Sequence, residues 1–404
     1  MIFVGIDWAE AHHDACIVDE AGQVLSKARV PDGIEGVRRL HELIAECSDE
    51  PGDVTIGIET DKGLLVGALV AAGYRVFAIN PFASSRYRDR HATSGAKSDP
   101  GDAKMLADLV RTDRHNHREI AGDSDLAEAV KVLARAHQSL IWTRRRQANQ
   151  LRNALREFYP AALAAFGSAL TSGDAMSVLA HAPSPQLGAK ASRSSLIAWL
   201  RKGGRKRNLG DRAVAIRTAL RSEQLQAPPI LSAAYADIVG SLVAVIAGLN
   251  DQIAALEAKL TAGFEAHPDA EILRSLPGLG SVLGARVLAE FGDDPNRYVD
   301  AKARRCYAGT APITKASGTR RVVLARIARN KRLADACYLW AFSSLTKSAG
   351  ARGHYDRCRA KGDTHNQALR SLGNKLVGIL HGCLSHRQNY SEVIAWRSPE
   401  KVAA

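Results

Sequence analysis

Two short apolar runs, Ile2-Phe3-Val4-Gly5-Ile6-Asp7 and Val54-Thr55-Ile56-Gly57-Ile58-Glu59, each end in a carboxylate. Both read as buried strands. A carboxylate at the end of such a strand is costly unless something pairs with it. A second acidic pair opens a helix at Asp99-Pro100-Gly101-Asp102-Ala103-Lys104, and its spacing of three places both acids on one helical face. Carboxylates gathered from strands and a helix build the all-oxygen cages that hold Mg²⁺. Two ions in such a cage drive phosphoryl transfer on nucleic acids.

Each acid also has a plainer role. Asp7 could cap a strand and Glu59 could pair with an arginine. Asp99 reads as an N-cap with Pro100 at the first helical position, and Asp102 as a charge favoured by the helix dipole. Their order along the chain is what joins them. A hairpin runs from Asp14-Ala15-Cys16-Ile17-Val18 through Glu20-Ala21-Gly22 into Val24-Leu25-Ser26. An amphipathic helix near 34–47, the Glu59 strand, a helix near 62–72 and the apolar strand 74–79 follow. Three strands, then helix, strand, helix, strand is the ribonuclease-H-like order, in which Asp7 and Glu59 converge. Residues 1–120 are therefore expected to form an α/β, ribonuclease-H/RuvC-like domain.

The remainder reads as helical. Residues 121–266 predict a helical coiled-coil region with long helices over about 124–158 and 231–263. In the second, Tyr235, Val239, Leu242, Ile246, Leu249, Ile253, Leu256 and Leu260 keep a heptad seam. That seam fits an intramolecular hairpin or an oligomer interface. Between the helices, the 165–228 insert is rich in Gly, Ser and Pro and carries Arg201-Lys202-Gly203-Gly204-Arg205-Lys206-Arg207. It reads as a small helical subdomain or mobile arm that touches phosphate, or as plain disorder. Residues 267–390 predict a mostly α C-terminal domain. Its Leu276-Pro277-Gly278-Leu279-Gly280 stretch looks like a helix–hairpin–helix turn, whose N–H groups can grip phosphate. Residues 391–404 read as a frayed tail.

Charge separates the two parts. Residues 1–120 hold 14 Lys+Arg against 20 Asp+Glu, and the remaining 284 hold 41 against 22. An acidic head on a basic body points to a polyanionic partner, the plainer account being a solvated surface. From Arg297 to Arg332 there are 11 Lys+Arg and one acid, Asp300. The expected nucleic-acid contacts are Arg144, Arg145, Arg146, Gly278, Gly280, Lys315, Arg320, Arg321, Arg326 and Arg329. Six scattered cysteines without a C-x-x-C pair argue against structural zinc and disulfides. No run reads as long enough to span a membrane and no signal peptide is evident, so a cytoplasmic protein with no membrane partner is expected. Ser317, before Gly318, is by type a turn residue. Lys315, Arg320 and Arg321 flank it, and such cations can stabilise a pentacoordinate phosphorus.

Taken in order, these motifs resemble one family. Gly5-Ile6-Asp7, Ile58-Glu59-Thr60, Ile79-Asn80-Pro81 and Lys97-Ser98-Asp99-Pro100-Gly101-Asp102-Ala103 are followed by Leu276-Pro277-Gly278-Leu279-Gly280, Tyr307-Ala308-Gly309-Thr310-Ala311-Pro312 and Ser317-Gly318. The set is similar to the insertion-sequence transposases that pair an acidic DEDD, RuvC-like domain with a C-terminal serine domain. These are the bridge-RNA-guided recombinases related to pilin-gene invertases. The resemblance implies that Asp7, Glu59, Asp99 and Asp102 hold two Mg²⁺ ions, with Mn²⁺ able to substitute. It implies that Ser317 attacks DNA to form a 5′-phosphoserine link, which a DNA hydroxyl then resolves. It further implies a composite site in a dimer or tetramer, donor and target DNA and a noncoding RNA as partners, and a nucleoid-associated prokaryotic protein. The chain carries no G-x-x-x-x-G-K-[ST] loop, consistent with exchange of phosphodiesters without nucleotide hydrolysis. A junction-resolving metal nuclease, with water as nucleophile, is the alternative. A nucleic-acid-binding protein without catalysis is a third reading.

Overall fold

A computed structural model describes residues 1–91, 98–120, 122–327 and 329–396. The motif residue Lys97 and the tail residues 397–404 lie outside the described residues. The chain divides into two compact units, up to Gly122 and from Asp123 onward.

The first unit is a six-stranded mixed sheet. In chain order it comprises β1 (Ile2–Trp8), β2 (His12–Val18), β3 (Val24–Pro31), α1 (Ile34–Ala45), β4 (Val54–Ile58), α2 (Leu64–Ala71), β5 (Arg75–Ala78), α3 (Pro81–His91), α4 (Asp99–Asp113) and β6 (Arg118–Glu119). The sheet order is β3-β2-β1-β4-β5-β6, with β1, β4 and β5 parallel. The two-residue β6 has no counterpart in the sequence reading. Alternation along the strands sorts the core into two layers. Ile2, Val4, Ile6, Ile17, Val54, Ile56 and Ile58 pack with Leu40, Leu43 and Ile44 of α1 and Leu69 of α2. Phe3, Cys16, Val18 and Phe77 pack with Ala103, Leu106, Ala107 and Val110 of α4.

On that second face two glycines let α4 lie close to the sheet. Gly5 and Gly57 are partners in the β1–β4 ladder. A Cβ on Gly57 would sit 2.7 Å from Val110 Cγ1 and 2.8 Å from the Leu106 carbonyl oxygen. A Cβ on Gly5 would collide outright with the Ala103 carbonyl oxygen and the Ala107 nitrogen.

The second unit continues with α5 (Asp125–Phe158), α6 (Pro160–Phe166), α7 (Gly173–His181), α8 (Pro185–Lys190), α9 (Arg193–Lys202), α10 (Leu209–Leu220) and α11 (Pro229–Glu265). After these come α12 (Ala270–Ser275), α13 (Ser281–Phe291), α14 (Ala301–Ala308), β7 (Ile313–Ser317), β8 (Arg320–Leu324), α15 (Lys331–Ser344), α16 (Ala349–Ala360), α17 (His365–Ser385) and α18 (Glu392–Ala395). The long helices α5 and α11 form an antiparallel pair. The Phe158 and Tyr235 rings stack at 5.3 Å, while Gly263 faces Val130 at the other end. Of the heptad residues, Val239, Ile246, Ile253 and Leu260 are buried and the alternate four are half-buried, as an intramolecular hairpin requires. By length and composition α11 could cross a membrane, contrary to the sequence reading. Its Ala, Val and Gly content, interrupted by Asp237 and Asp251, conceals that run. One side of it is core.

The structure decides one open reading and corrects another. The 165–228 insert is a small helical subdomain and not disordered: α6–α10 enclose a core of Phe166, Leu170, Leu179, Leu196, Leu200, Ile216 and Leu220. Serines start three of its helices, since Ser172, Ser184 and Ser192 accept hydrogen bonds from the backbones of Ala175, Leu187 and Ser195. Within its basic stretch, Arg205 is committed to Asp174 at 2.7 Å rather than free for phosphate. The tail is ordered as far as Trp396. Glu392 accepts hydrogen bonds from Ser348 Oγ and the Gly350 nitrogen, and Trp396 Nε1 donates to the Tyr390 hydroxyl.

Candidate functional site

Strand register assembles the acidic end of the first unit. On β1, Phe3, Gly5 and Asp7 share the face toward α4; on β4, Gly57 continues it, and Glu59 follows directly after the strand. Asp14 of β2 is the antiparallel partner of Asp7 and lies on the same face as Cys16 and Val18. The Gly5–Ala103 approach then brings the first turn of α4, with Asp99 and Asp102, to the same end of the sheet. Ser98, with φ −150° and ψ 140°, is the N-cap, so Asp99 is the first helical residue and not the cap that the sequence suggests. Its carboxylate is therefore not spent on capping.

Each acid has a definite environment. Asp14 is only 5% exposed and accepts a two-pronged grip from Arg29, at 3.2 Å to Nε and 2.9 Å to Nη2. The same Nη2 lies 3.5 Å from Asp99. Asp102, 7% exposed, pairs with Arg88 at 2.8 Å. Ser84 Oγ donates to Glu59. The ligand atoms of His12, Asp14 and Asp99 all fall within 4.8 Å of one another. Among the described residues this trio forms a tight group of potential ligands, beside the expected Asp7, Glu59, Asp99 and Asp102. Arg88 engages Asp102 and Ser84 engages Glu59.

The donor set suits a hard divalent cation: carboxylate oxygens with one imidazole, where guanidinium groups now balance the charge. His12, Asp14, Arg29, Ser84 and Arg88 were missed from sequence. A polar residue in a hairpin strand looks ordinary until its register opposite Asp7 is known.

In the second unit, Ser317 closes β7 directly opposite Arg320. Gly318, at φ +55°, is the first residue of the two-residue turn between them, as a type II′ hairpin requires. Lys315, Arg320 and Arg321 are exposed on this hairpin. Arg326 donates to Cys306 Sγ at 3.8 Å, and Arg329 to the Arg326 carbonyl at 3.2 Å. Arg144 donates to Asn250, while Arg145 and Arg146 are exposed on α5.

The Pro277–Gly278 turn is clamped onto α15. Trp340 Nε1 donates to the Pro277 carbonyl, and a Cβ on Gly278 would sit 2.7 Å from the Ser344 nitrogen. Gly280 caps α13 beside a groove that includes Arg274, Lys347 and Arg352. Glu265 already accepts a hydrogen bond from Ser281 in the first turn of that helix. The six cysteines are all free thiols.

Comparison with known proteins gives this geometry its setting. Residues 4–160 match a family model for DEDD transposases of the IS110 type, and residues 270–356 match the transposase IS116/IS110/IS902 family. A Streptomyces coelicolor protein named for the transposase of the IS117 mini-circle is 46% identical over 100% of this chain and 98% of its own. The 43.6 kDa protein of insertion element IS110, from the same organism, is 29% identical over 95% of this chain and 94% of its own. The 42 kDa protein of insertion element IS900 from Mycobacterium paratuberculosis is 28% identical over 96% and 97%. The chain belongs to the IS116/IS110/IS902 family of transposases, enzymes that act on DNA.

Proposed function

We propose that this transposase is a metal-assisted, serine-dependent recombinase that cuts and rejoins DNA strands during element excision and insertion. The convergence of Asp7, Asp14, Glu59, Asp99 and Asp102 at one end of the sheet is the observation that carries this reading. Asp7, Glu59, Asp99 and Asp102 would hold Mg²⁺, with His12 and Asp14 beside them. A bound cation there would polarise a scissile phosphate and offset charge on the departing oxygen.

Ser317 would supply the nucleophile. Its Oγ–P bond forms as the bond to the DNA 3′ oxygen breaks, and the serine proton leaves with the 3′ hydroxyl. The product is a 5′-phosphoserine link. A second DNA hydroxyl then attacks the same phosphorus and returns the serine. The exposed hairpin with Lys315, Arg320 and Arg321 supports this role, since those cations offset charge on the transferred phosphate. Guidance by a noncoding RNA belongs to the same reading and rests on the family resemblance. Assembly into dimers and tetramers is supported by the apolar outer face of α11, where Ile230, Ile238 and Val245 are exposed.

A trapping assay tests the reading. Full-length protein is incubated with Mg²⁺, element-end DNA and RNA transcribed from the element's flanks, then run on a denaturing gel. A covalent adduct that forms with wild type and vanishes in Ser317→Ala and Asp7→Ala is the expected result. Cleavage without an adduct, unchanged in Ser317→Ala, would replace the serine mechanism with a water-using metal nuclease.

A further inference from the structure

Within the second unit, a cleft of about 460 Å³ opens along one face of α5. Arg145, Ala148 and Arg152 mark that face at helical spacing, and Arg144 reaches in from its edge. The opposite wall is the Ser168–Thr171 loop of the helical insert, together with Arg286 of α13 and Asp335 of α15. Four guanidinium groups thus meet in one cleft against a single acid.

None of the four finds a carboxylate partner among the described residues. Arg144 donates to the Asn250 side chain at 2.8 Å and Arg152 to the Gly167 carbonyl at 2.6 Å. Asp335 accepts a hydrogen bond from Gln138 at 3.0 Å. Arg286 is the extreme case. It is 7% exposed, its Nη2 lies 3.4 Å from His137 Nδ1, and its Nε has no hydrogen-bond partner among the described residues. Burial lowers its pKa although Asp335 and Glu257 oppose the shift. A buried cation with two acids nearby but no carboxylate bonded to it is a standing cost that folding alone does not explain.

We propose that this cleft is a subsite for a backbone phosphate of a bound nucleic-acid strand, with Arg286 as its buried anchor and Arg144, Arg145 and Arg152 as its rim. A phosphate supplies further negative charge in direct contact and acceptors matched to guanidinium forks. The exposed Arg145 and neighbouring Arg146 carry positive charge out of the cleft, so the ligand is a chain of phosphates and not one small anion. The proposal rests on the reading of this chain as a nucleic-acid enzyme, and it adds a grip remote in sequence from both the acidic set and Ser317.

The test measures binding of the full-length protein to labelled duplex DNA and to labelled single-stranded RNA by anisotropy, between 50 and 200 mM salt. Arg286→Met keeps the volume and removes the charge; Arg145→Gln does so at an exposed position. Both variants should bind at least one of the two strands roughly three- to tenfold more weakly. The slope of log K against log salt should fall by about 0.9 for duplex or about 0.7 for single strand, one phosphate's share. The melting temperature of Arg286→Met should not drop, because a buried cation with no carboxylate bonded to it has been removed. Whichever probe loses the slope identifies the strand held.

Wild-type affinity and slope in both variants would overturn the proposal while leaving the recombinase reading intact. A melting-temperature loss in Arg286→Met, with Arg145→Gln binding normally, would overturn it by making Arg286 structural. Wild-type protein that binds neither probe would sink both.

Discussion

Alanine in place of Gly57 tests whether α4 is held against the sheet as the geometry implies. The added methyl would stand 2.8 Å from the Leu106 carbonyl oxygen, where ordinary contact begins near 3.4 Å. Val110 can rotate aside, but a backbone carbonyl cannot. The helix must therefore retreat by about 0.6 Å, taking Asp99 and Asp102 with it. Overpacking of this kind costs about 1–3 kcal/mol, or a melting loss of roughly 4–12 °C in a unit of this size. A displacement of 1 Å costs on the order of 10²-fold in rate, so strand cleavage should fall by about tenfold. Gly5→Ala must be worse, because its methyl would overlap two backbone atoms of α4. Circular-dichroism melts and cleavage of element-end DNA measure both effects. If Gly57→Ala matches wild type in both, or Gly5→Ala proves the milder change, the close approach of α4 does not position the acids.

Four other outcomes are expected. Asp99→Asn should abolish cleavage with a melting loss of only about 1–4 °C, because Ser98 holds the cap position and what is lost is a dipole contribution of about 0.3–1 kcal/mol and an exposed contact with Arg29. Arg135→Met should destabilise the second unit by about 3–5 kcal/mol. Glu290, 5% exposed, would lose its 2.8 and 2.9 Å hydrogen bonds from Arg135 and keep only Asn330. Burial acts to raise the Glu290 pKa, but Arg135 and Asn330 hold it below the ordinary value. In wild type this stabilisation is present above the unfolded pKa, about 4.3, and is lost as pH falls through the folded one. In the variant burial dominates and the pKa rises, so urea melts should show the deficit shrinking in acid. Tyr159→Phe should raise stability by about 1 kcal/mol, since the buried Tyr159 hydroxyl has no hydrogen-bond partner among the described residues; a lower melting temperature would count against this. Burial pushes the Cys337 thiol up to about 12. Mass spectrometry after iodoacetamide at pH 8 should find it unmodified in folded protein, with modification confined to the half-buried Cys47, Cys306, Cys358 and Cys383.

The strands of the first unit were legible because Val, Ile and Phe alternate between two buried layers and turn residues bound each run. The acidic residues were legible for the opposite reason: a charge ending an apolar run is conspicuous. Asp14, His12 and Arg29 were not. Asp14 matters through its register opposite Asp7, and register is a property of two strands at once. Arg29 bridges Asp14 and Asp99 of the trio, and no spacing encodes that contact. Asp99 passed for an N-cap because Pro100 follows it, yet the extended backbone at Ser98 starts the helix one residue earlier. The insert looked equally like disorder, although Ser172, Ser184 and Ser192 were capping signals in plain view. The order of the tail through Trp396 depends on Tyr390, Ser348 and Gly350, and no local pattern announces partners that distant.

The paired helices α5 and α11 have a mechanical consequence. At 1.5 Å per residue, the 34 residues of α5 make a rod about 50 Å long. Val130 and Ala134 root one end in the C-terminal core, and Leu151, Leu155 and Phe158 root the other in the helical insert. Such a rod converts angle into distance: a flexure of five degrees at the root carries the far tip about 4 Å. The arginine cleft spans the angle between the two cores, with Arg286 on one side and Thr171 on the other. A strand seated there would act as a strut, fixing how far the insert can swing.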